Sequence, residues 1–200
     1  PQYPLWTDGA AKRRWIHLPA GTAIDASRPD AWEFPVGTRV WKEFAFEGAV
    51  ETRYLERMAD GSWRYATYVW NAQGTQATLV PDEGIARLAV KGAPAGRYAI
   101  PSRFDCVACH EGPAVPVLGF TALQLSDDRD PLAPHAEPLP VGALTLSALV
   151  AGGRLEPERP ELAARPPRIE ARNATERAAL GYLSANCGAC HNSSGPLGRL

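Results

Sequence analysis

The spacing Cys-x-x-Cys-His occurs twice, as Cys106-Val107-Ala108-Cys109-His110 and as Cys187-Gly188-Ala189-Cys190-His191, and the two motifs use all 4 cysteines of the chain. Two thiols held one turn apart can add across the two vinyl groups of a haem, and the histidine that follows is then placed to bind the iron. The first reading is therefore two covalently attached haem c groups. Cys106, Cys109, Cys187 and Cys190 would carry the thioethers, with His110 and His191 as proximal iron ligands. Three other chemistries use the same thiols. Zinc accepts four thiolates in a tetrahedron, but the pairs lie 81 residues apart (187 minus 106). Common zinc modules separate them by roughly 15–20, and zinc leaves both histidines without a task. A thioredoxin-type redox pair calls for a neighbouring βαβ pattern, which the chain does not display. Two disulfides fit an exported protein and again ignore the histidines.

The elements that must position these motifs differ between the two halves. All 6 tryptophans precede residue 100 and all 4 cysteines follow it. The first half reads as antiparallel β. Arg39–Phe46, Thr52–Met58 and Trp63–Trp70 mix aromatic and β-branched residues with charges. Asp60-Gly61 between the last two is a hairpin signal, because glycine accepts the positive φ of a tight turn. Asn71–Gly74 turns the chain again into Gln76–Val80, and Asp8-Gly9 predicts another hairpin between Leu5-Trp6 and Arg13–Ile16. The aromatic residues are expected to pack one sheet face rather than to form a ligand cage. In the second half, Asn173 with Glu176 three residues later predicts a helix start. The run Thr175–Ala185 leads into Cys187, with Ala179, Leu180 and Leu183 on one stripe placed to line a haem. Shorter helices are expected near Leu144–Ala151, ended by Gly152-Gly153, and near Phe120–Leu125. The stretch Asp130–Pro140, with 4 prolines, reads as an extended loop, and Glu156–Pro167 as a surface connection. The fold class expected is α+β: an N-terminal aromatic-rich antiparallel β region over 1–100, then a mostly helical, loop-rich cytochrome c-like dihaem region over 101–200.

A chain of 200 residues suits one domain or two small ones. A net charge of −1 excludes a bulk electrostatic pull toward nucleic acid or membrane. No stretch approaches the ~20 apolar residues of a transmembrane helix. Haem c is attached outside the cytoplasm, so a periplasmic or extracellular protein is expected. The opening at Pro1, without a signal peptide, is read as a leader removed or left out. The 19 prolines and 18 glycines predict a loop-rich body whose core is filled partly by cofactor.

Further segments carry a family resemblance. They are Tyr3-Pro4-Leu5-Trp6-Thr7-Asp8-Gly9-Ala10, Lys12-Arg13-Arg14-Trp15-Ile16, Phe34-Pro35-Val36-Gly37-Thr38, Lys42-Glu43-Phe44 and Glu51-Thr52-Arg53. Around the motifs, Pro101-Ser102-Arg103, Leu118-Gly119-Phe120, Gln124-Leu125, Tyr182-Leu183 and Asn186 continue it. Together they cover most of the chain, which resembles a family of exported bacterial dihaem c-type cytochromes. The resemblance implies two haem c groups, a periplasmic or surface location, and electron transfer; it implies no substrate. Such proteins generally continue well past the second motif, whereas this chain stops at Leu200, nine residues after His191 (200 minus 191). Either the chain is a truncated or processed form, or it is a short member, and a missing part could have carried a distal ligand.

The distal iron positions have three candidates. Methionine there raises the reduction potential and histidine lowers it. Met58, the 1 methionine, lies two residues before Asp60-Gly61, where covering the sheet end is the competing role. His135 sits in the proline-rich loop, and His17 alternates with Ile16 along an expected strand; surface or hydrogen-bonded histidines compete with both. Lys12, Arg13, Arg14 and above all Arg103, three residues before Cys106, are candidates to pair with haem propionates. Two haems and three candidate ligands leave an open iron in view. The favoured function is a dihaem electron carrier, with unidentified protein donor and acceptor. The alternative is a haem enzyme, peroxidase-like or reducing a small molecule, with an open distal site on one haem.

Overall fold

A computed structural model describes residues 1–28, 31–111 and 115–192. In chain order the strands are β1 (Ala11–His17), β2 (Ile24–Asp25), β3 (Arg39–Ala45), β4 (Ala49–Arg57), β5 (Trp63–Trp70), β6 (Ala77–Leu79), β7 (Ile85–Ala89), β8 (Arg97–Ile100) and β9 (Leu155–Glu156). The helices are α1 (Arg103–His110), α2 (Ala122–Leu125), α3 (Leu146–Ala151), α4 (Pro160–Ala164) and α5 (Ala174–Asn186). They fall into two compact units. One comprises Thr7–Gly21 and Pro35–Cys109, the other Pro1–Trp6, Thr22–Phe34 and His110–Leu200.

The first unit is built on a five-stranded antiparallel sheet in the order β1-β3-β4-β5-β6. Asp8 and Gly9, at φ 52° and 80°, turn the chain into β1. Gly61, at φ 84°, makes the β4–β5 hairpin, with its N–H on the Met58 carbonyl at 3.0 Å. Because successive strand residues point to opposite faces, the pairing register sorts the side chains. One face carries three cross-strand rungs: His17–Arg39–Glu56–Arg64, Trp15–Trp41–Tyr54–Ala66 and Arg13–Glu43–Thr52–Tyr68. The other face buries Val40, Phe44, Leu55 and Tyr65. At one end, the β7–β8 hairpin closes a cluster of Val50, Val80, Ala93, Tyr98 and Ile100. Gly84 (φ +73°) is required there, since a Cβ would lie 2.5 Å from the Ile100 carbonyl oxygen.

The second unit is organised around α5. Tyr3 lies flat against Gly181, where a Cβ would overlap its ring. The Tyr3 hydroxyl donates to Asp130 (3.0 Å) and its backbone N–H to the Gln124 side chain (3.0 Å). Arg177, buried on the same helix, donates to the Asp128 carbonyl at 2.6 Å. Trp32 and Phe34 meet Phe120 edge-on at 6.1 and 5.4 Å. The short parallel pair β2–β9 buries Ile24 against Leu155.

The mostly helical second half expected from the motifs is not what forms. The molecule is mostly β, with 26% strand against 21% helix. After α1 the helices α2, α3 and α4 run 4, 6 and 5 residues, and α5, at 13, is the long one. The reason is proline. Pro116, Pro131, Pro134, Pro138 and Pro140 lack the N–H a helix interior needs and disfavour helical backbone in the preceding residue. The chain from 126 to 145 therefore runs in turns and extended backbone. Nor do the tryptophans act as one packing set. Trp32 and Trp63 are buried, Trp6 and Trp15 are exposed, and Trp41 and Trp70 are half-buried.

Candidate haem attachment sites

The first motif lies on α1. Ser102 and Asp105 form a reciprocal cap: the Asp105 N–H donates to Ser102 Oγ (3.2 Å), while the Ser102 N–H donates to the Asp105 carboxylate (2.9 Å). These bonds from Ser102 hold the Asp105 carboxyl below its ordinary range. Helical periodicity then aligns Arg103, Cys106 and His110 at i, i+3 and i+7 on one stripe. Cys106 is half-buried and Cys109 exposed. Burial pushes the Cys106 thiol above its ordinary value, an effect the Arg53 guanidinium only partly offsets. That is opposite to the lowered thiol of a thioredoxin-type redox pair.

The His110 ring is oriented by a hydrogen bond. Nδ1 lies 2.6 Å from the Pro116 carbonyl oxygen. A carbonyl only accepts, so Nδ1 donates in this bond. Metal-binding histidines are held in the same way, donating the other ring N–H to a carbonyl or carboxylate.

α5 ends at Asn186 with Cys187 as its cap, and the second motif follows as turns: the Cys187 N–H reaches the Leu183 carbonyl (2.9 Å) and the His191 N–H the Cys187 carbonyl (2.8 Å). Gly188 has no room for a side chain, since a Cβ would sit 2.6 Å from the Ser184 carbonyl oxygen. Leu180 and Leu183 are 40% and 52% exposed, on the helical stripe that leads to Cys187. Asn186 pins the end of the helix, accepting the Trp6 N–H at 2.8 Å. All four thiols are unbridged. Among the described residues no three His, Cys, Asp or Glu side chains gather to hold a metal ion.

The remaining candidates are scattered. His135, exposed and at φ 59°, packs its ring on Trp6 at 4.3 Å and faces Tyr182 at 6.4 Å, beside the end of α5 that bears Cys187. Met58 is half-buried at the β4–β5 turn, its N–H on the Ser62 carbonyl (2.9 Å). His17 is exposed at the end of β1, opposite Arg39. Arg13 is engaged by Glu43 at 2.7 Å, and Lys12 donates to the Ala10 carbonyl at 3.1 Å; Arg14 is half-buried in β1. Arg103 is exposed and faces a groove. The chain end at Leu200 lies outside the described residues.

That groove was not foreseen. It has a volume of about 710 Å³ and runs along β5, with Trp41, Tyr54, Tyr68 and Trp70 among its walls and Arg103 and Cys106 closing it from α1. Its size falls within the roughly 300–1,000 Å³ of cofactor and ligand sites. Nearby, the fully buried Glu51 carboxylate accepts from Arg53 (2.6 Å) and from the Tyr98 hydroxyl (2.7 Å). Burial and the adjoining Glu51 push the Tyr98 phenol well above its ordinary value. The signal for the groove is in the strands: β4 and β5 carry large apolar residues at both parities, as a sheet covered on both faces does.

No protein-family model, no curated protein and no solved structure matches the chain. Among the described residues no helix is long and apolar enough to cross a membrane.

Proposed function

We propose that the protein is a dihaem c-type cytochrome that passes electrons between redox partners outside the cytoplasm. The observation that carries this reading is the His110 ring, set one turn beyond Cys106 and oriented by the hydrogen bond of Nδ1 to the Pro116 carbonyl. When bound, a haem c iron accepts and releases one electron at a time between its ferric and ferrous states. The chain's share is placement. The Ser102–Asp105 cap sets the helix that presents Arg103, Cys106 and His110 together, and Arg103 is available to a propionate. At the second motif, Asn186 fixes the helix end, and the Leu180–Leu183 stripe offers apolar cover to a ring bonded at Cys187.

The test is expression with export in a host that attaches haem c. The expected result is an intact mass equal to the chain plus two haems, and two haems per chain by the reduced spectrum in alkaline pyridine. Cys106→Ala/Cys109→Ala and Cys187→Ala/Cys190→Ala each retain one. A chain recovered at its bare 21.6 kDa refutes the reading.

A further inference from the structure

We infer that the solvent face of the five-stranded sheet binds a neutral oligosaccharide, with its pyranose rings stacked on the aromatic row that crosses the strands. The inference goes beyond the cytochrome reading and does not depend on it. An antiparallel sheet with one face on a core ordinarily turns polar residues outward. Here the face opposite Val40, Phe44, Leu55 and Tyr65 carries Trp15, Trp41, Tyr54, Tyr68 and Trp70. Cross-strand packing accounts for part of this, since the Trp41 and Tyr54 rings lie 5.5 Å apart. It does not account for Trp15 and Tyr68, which stand 48% and 37% exposed on the same face. Clustered exposed aromatic surface of this kind marks a binding site.

The geometry selects the ligand class. Trp41, Tyr54, Tyr68 and Trp70 wall a groove whose floor is small at Ala66 and Thr52. The Trp70 ring is fixed there, its Nε1–H donating to Thr52 Oγ1 at 3.0 Å. Adjacent strands lie about 4.8 Å apart, so the row Trp15–Trp41–Tyr54 extends over about 10 Å, room for more than one sugar ring. The C–H face of a pyranose carries slight positive charge and is attracted to the negative face of an aromatic ring. Its equatorial hydroxyls then point sideways, toward the two rungs that flank the row. Those rungs are ion pairs: Arg13 with Glu43 at 2.7 Å on one side, and Arg39 (3.2 Å) and Arg64 with Glu56 on the other. Each sets donors beside acceptors, as a vicinal diol requires. Three arginines against two carboxylates leave one excess positive charge, too little to hold the phosphates of a nucleic acid. Arg53, the guanidinium that acts on Cys106, alternates onto the core face of β4, so the row and the first motif lie toward opposite faces of the sheet.

The experiment titrates the full chain calorimetrically with three neutral hexasaccharides, cellohexaose, chitohexaose and maltohexaose, and with an oligothymidylate. Binding of at least one hexasaccharide is expected, little changed between about 50 and about 200 mM salt. Tyr68→Ala and Trp41→Ala should each weaken it about tenfold, the loss of one stacked ring. Tyr68 is exposed, so its replacement decides the matter if Trp41→Ala also disturbs the sheet; circular dichroism on the same samples reads the fold. Phe104→Ala, which removes an exposed aromatic ring on α1, should leave binding unchanged. The inference is overturned if none of the three sugars binds at about 1 mM, if neither aromatic replacement weakens binding, or if the oligothymidylate binds in place of the sugars. Haem content is counted separately in alkaline pyridine. Two haems without sugar binding overturn this inference alone, whereas sugar binding without haem overturns the cytochrome reading alone.

Discussion

Replacing Gly181 by alanine tests whether α5 is seated on Tyr3 as described. In an exposed helix interior this change is favourable, by about 1 kcal/mol of propensity. Here a Cβ would overlap the Tyr3 ring, not the tip of a flexible side chain. The ring has little freedom to withdraw. Tyr3 is 2% exposed, and it is held at one end by Asp130 (3.0 Å) and at the other by Gln124 (3.0 Å). Overpacking of this kind costs about 1–3 kcal/mol. With the hydroxyl and the backbone of Tyr3 both pinned the upper end applies, and after the propensity gain about 2 kcal/mol of destabilisation remains. For a chain of 150–250 residues each kcal/mol lowers Tm by about 2–4 °C, so a fall of about 4–8 °C is expected by far-UV circular dichroism. The shift should shrink in Tyr3→Ala/Gly181→Ala relative to Tyr3→Ala, because the colliding ring is gone. A Gly181→Ala protein as stable as the parent, or more stable, would show that propensity acts unopposed and that Tyr3 does not lie against the helix.

Three further outcomes follow from other contacts. Glu51→Leu leaves the largely buried Arg53 guanidinium and the Tyr98 hydroxyl without their acceptor and should cost about 3 kcal/mol or more, read as a lower urea midpoint. The Glu56 carboxyl is lowered from 4.5 to about 2, by Arg64 first and by Tyr54. Its stabilising contribution is full above the unfolded value and is lost as pH falls toward about 2, so Glu56→Gln should lower stability at neutral pH, flatten the stability profile between those limits and change little near pH 2. Asn173→Ala removes the side chain that accepts the Glu176 N–H at 2.9 Å and should destabilise by about 1 kcal/mol in thermal unfolding.

The parts of the fold legible in the sequence are those with local causes. The β3–β4–β5 meander is written in alternation and in Asp60-Gly61. The helix start at Asn173 follows from capping chemistry, although Glu176 reaches the Arg172 N–H (2.7 Å) rather than that of Asn173 itself. Thr145, which accepts the Ala148 N–H, and Gly152 bound α3 within two residues of the stretch expected. What was not legible depends on contacts distant in sequence. Asp8-Gly9 makes its turn, but Leu5-Trp6 does not pair with β1; the opening segment instead bonds to α2 through Gln2 and Tyr3 and to α5 through Trp6, more than a hundred positions away. The helical weight assigned to the second half came from its Cys-x-x-Cys-His motifs, and proline overrode it. At the candidate sites, spacing alone singles out Cys106, Cys109, Cys187 and Cys190 with the histidines that follow them. The Pro116 carbonyl that orients His110 carries no side-chain signal, and the groove exists only once Cys106 and β5 are brought together.

The crowding at Gly188 makes the two doubled pentapeptides unequal. A valine, which the first motif carries between its cysteines at Val107, has no room at the matching place in the second, where the Ser184 carbonyl fills the space. Grafting the first pentapeptide onto the end of α5 would unwind that terminus, while the reverse graft meets no such barrier on α1. The two stations are therefore not interchangeable copies of one cassette: the first accommodates a valine between its thiols, and the second is held to the smallest residue there is.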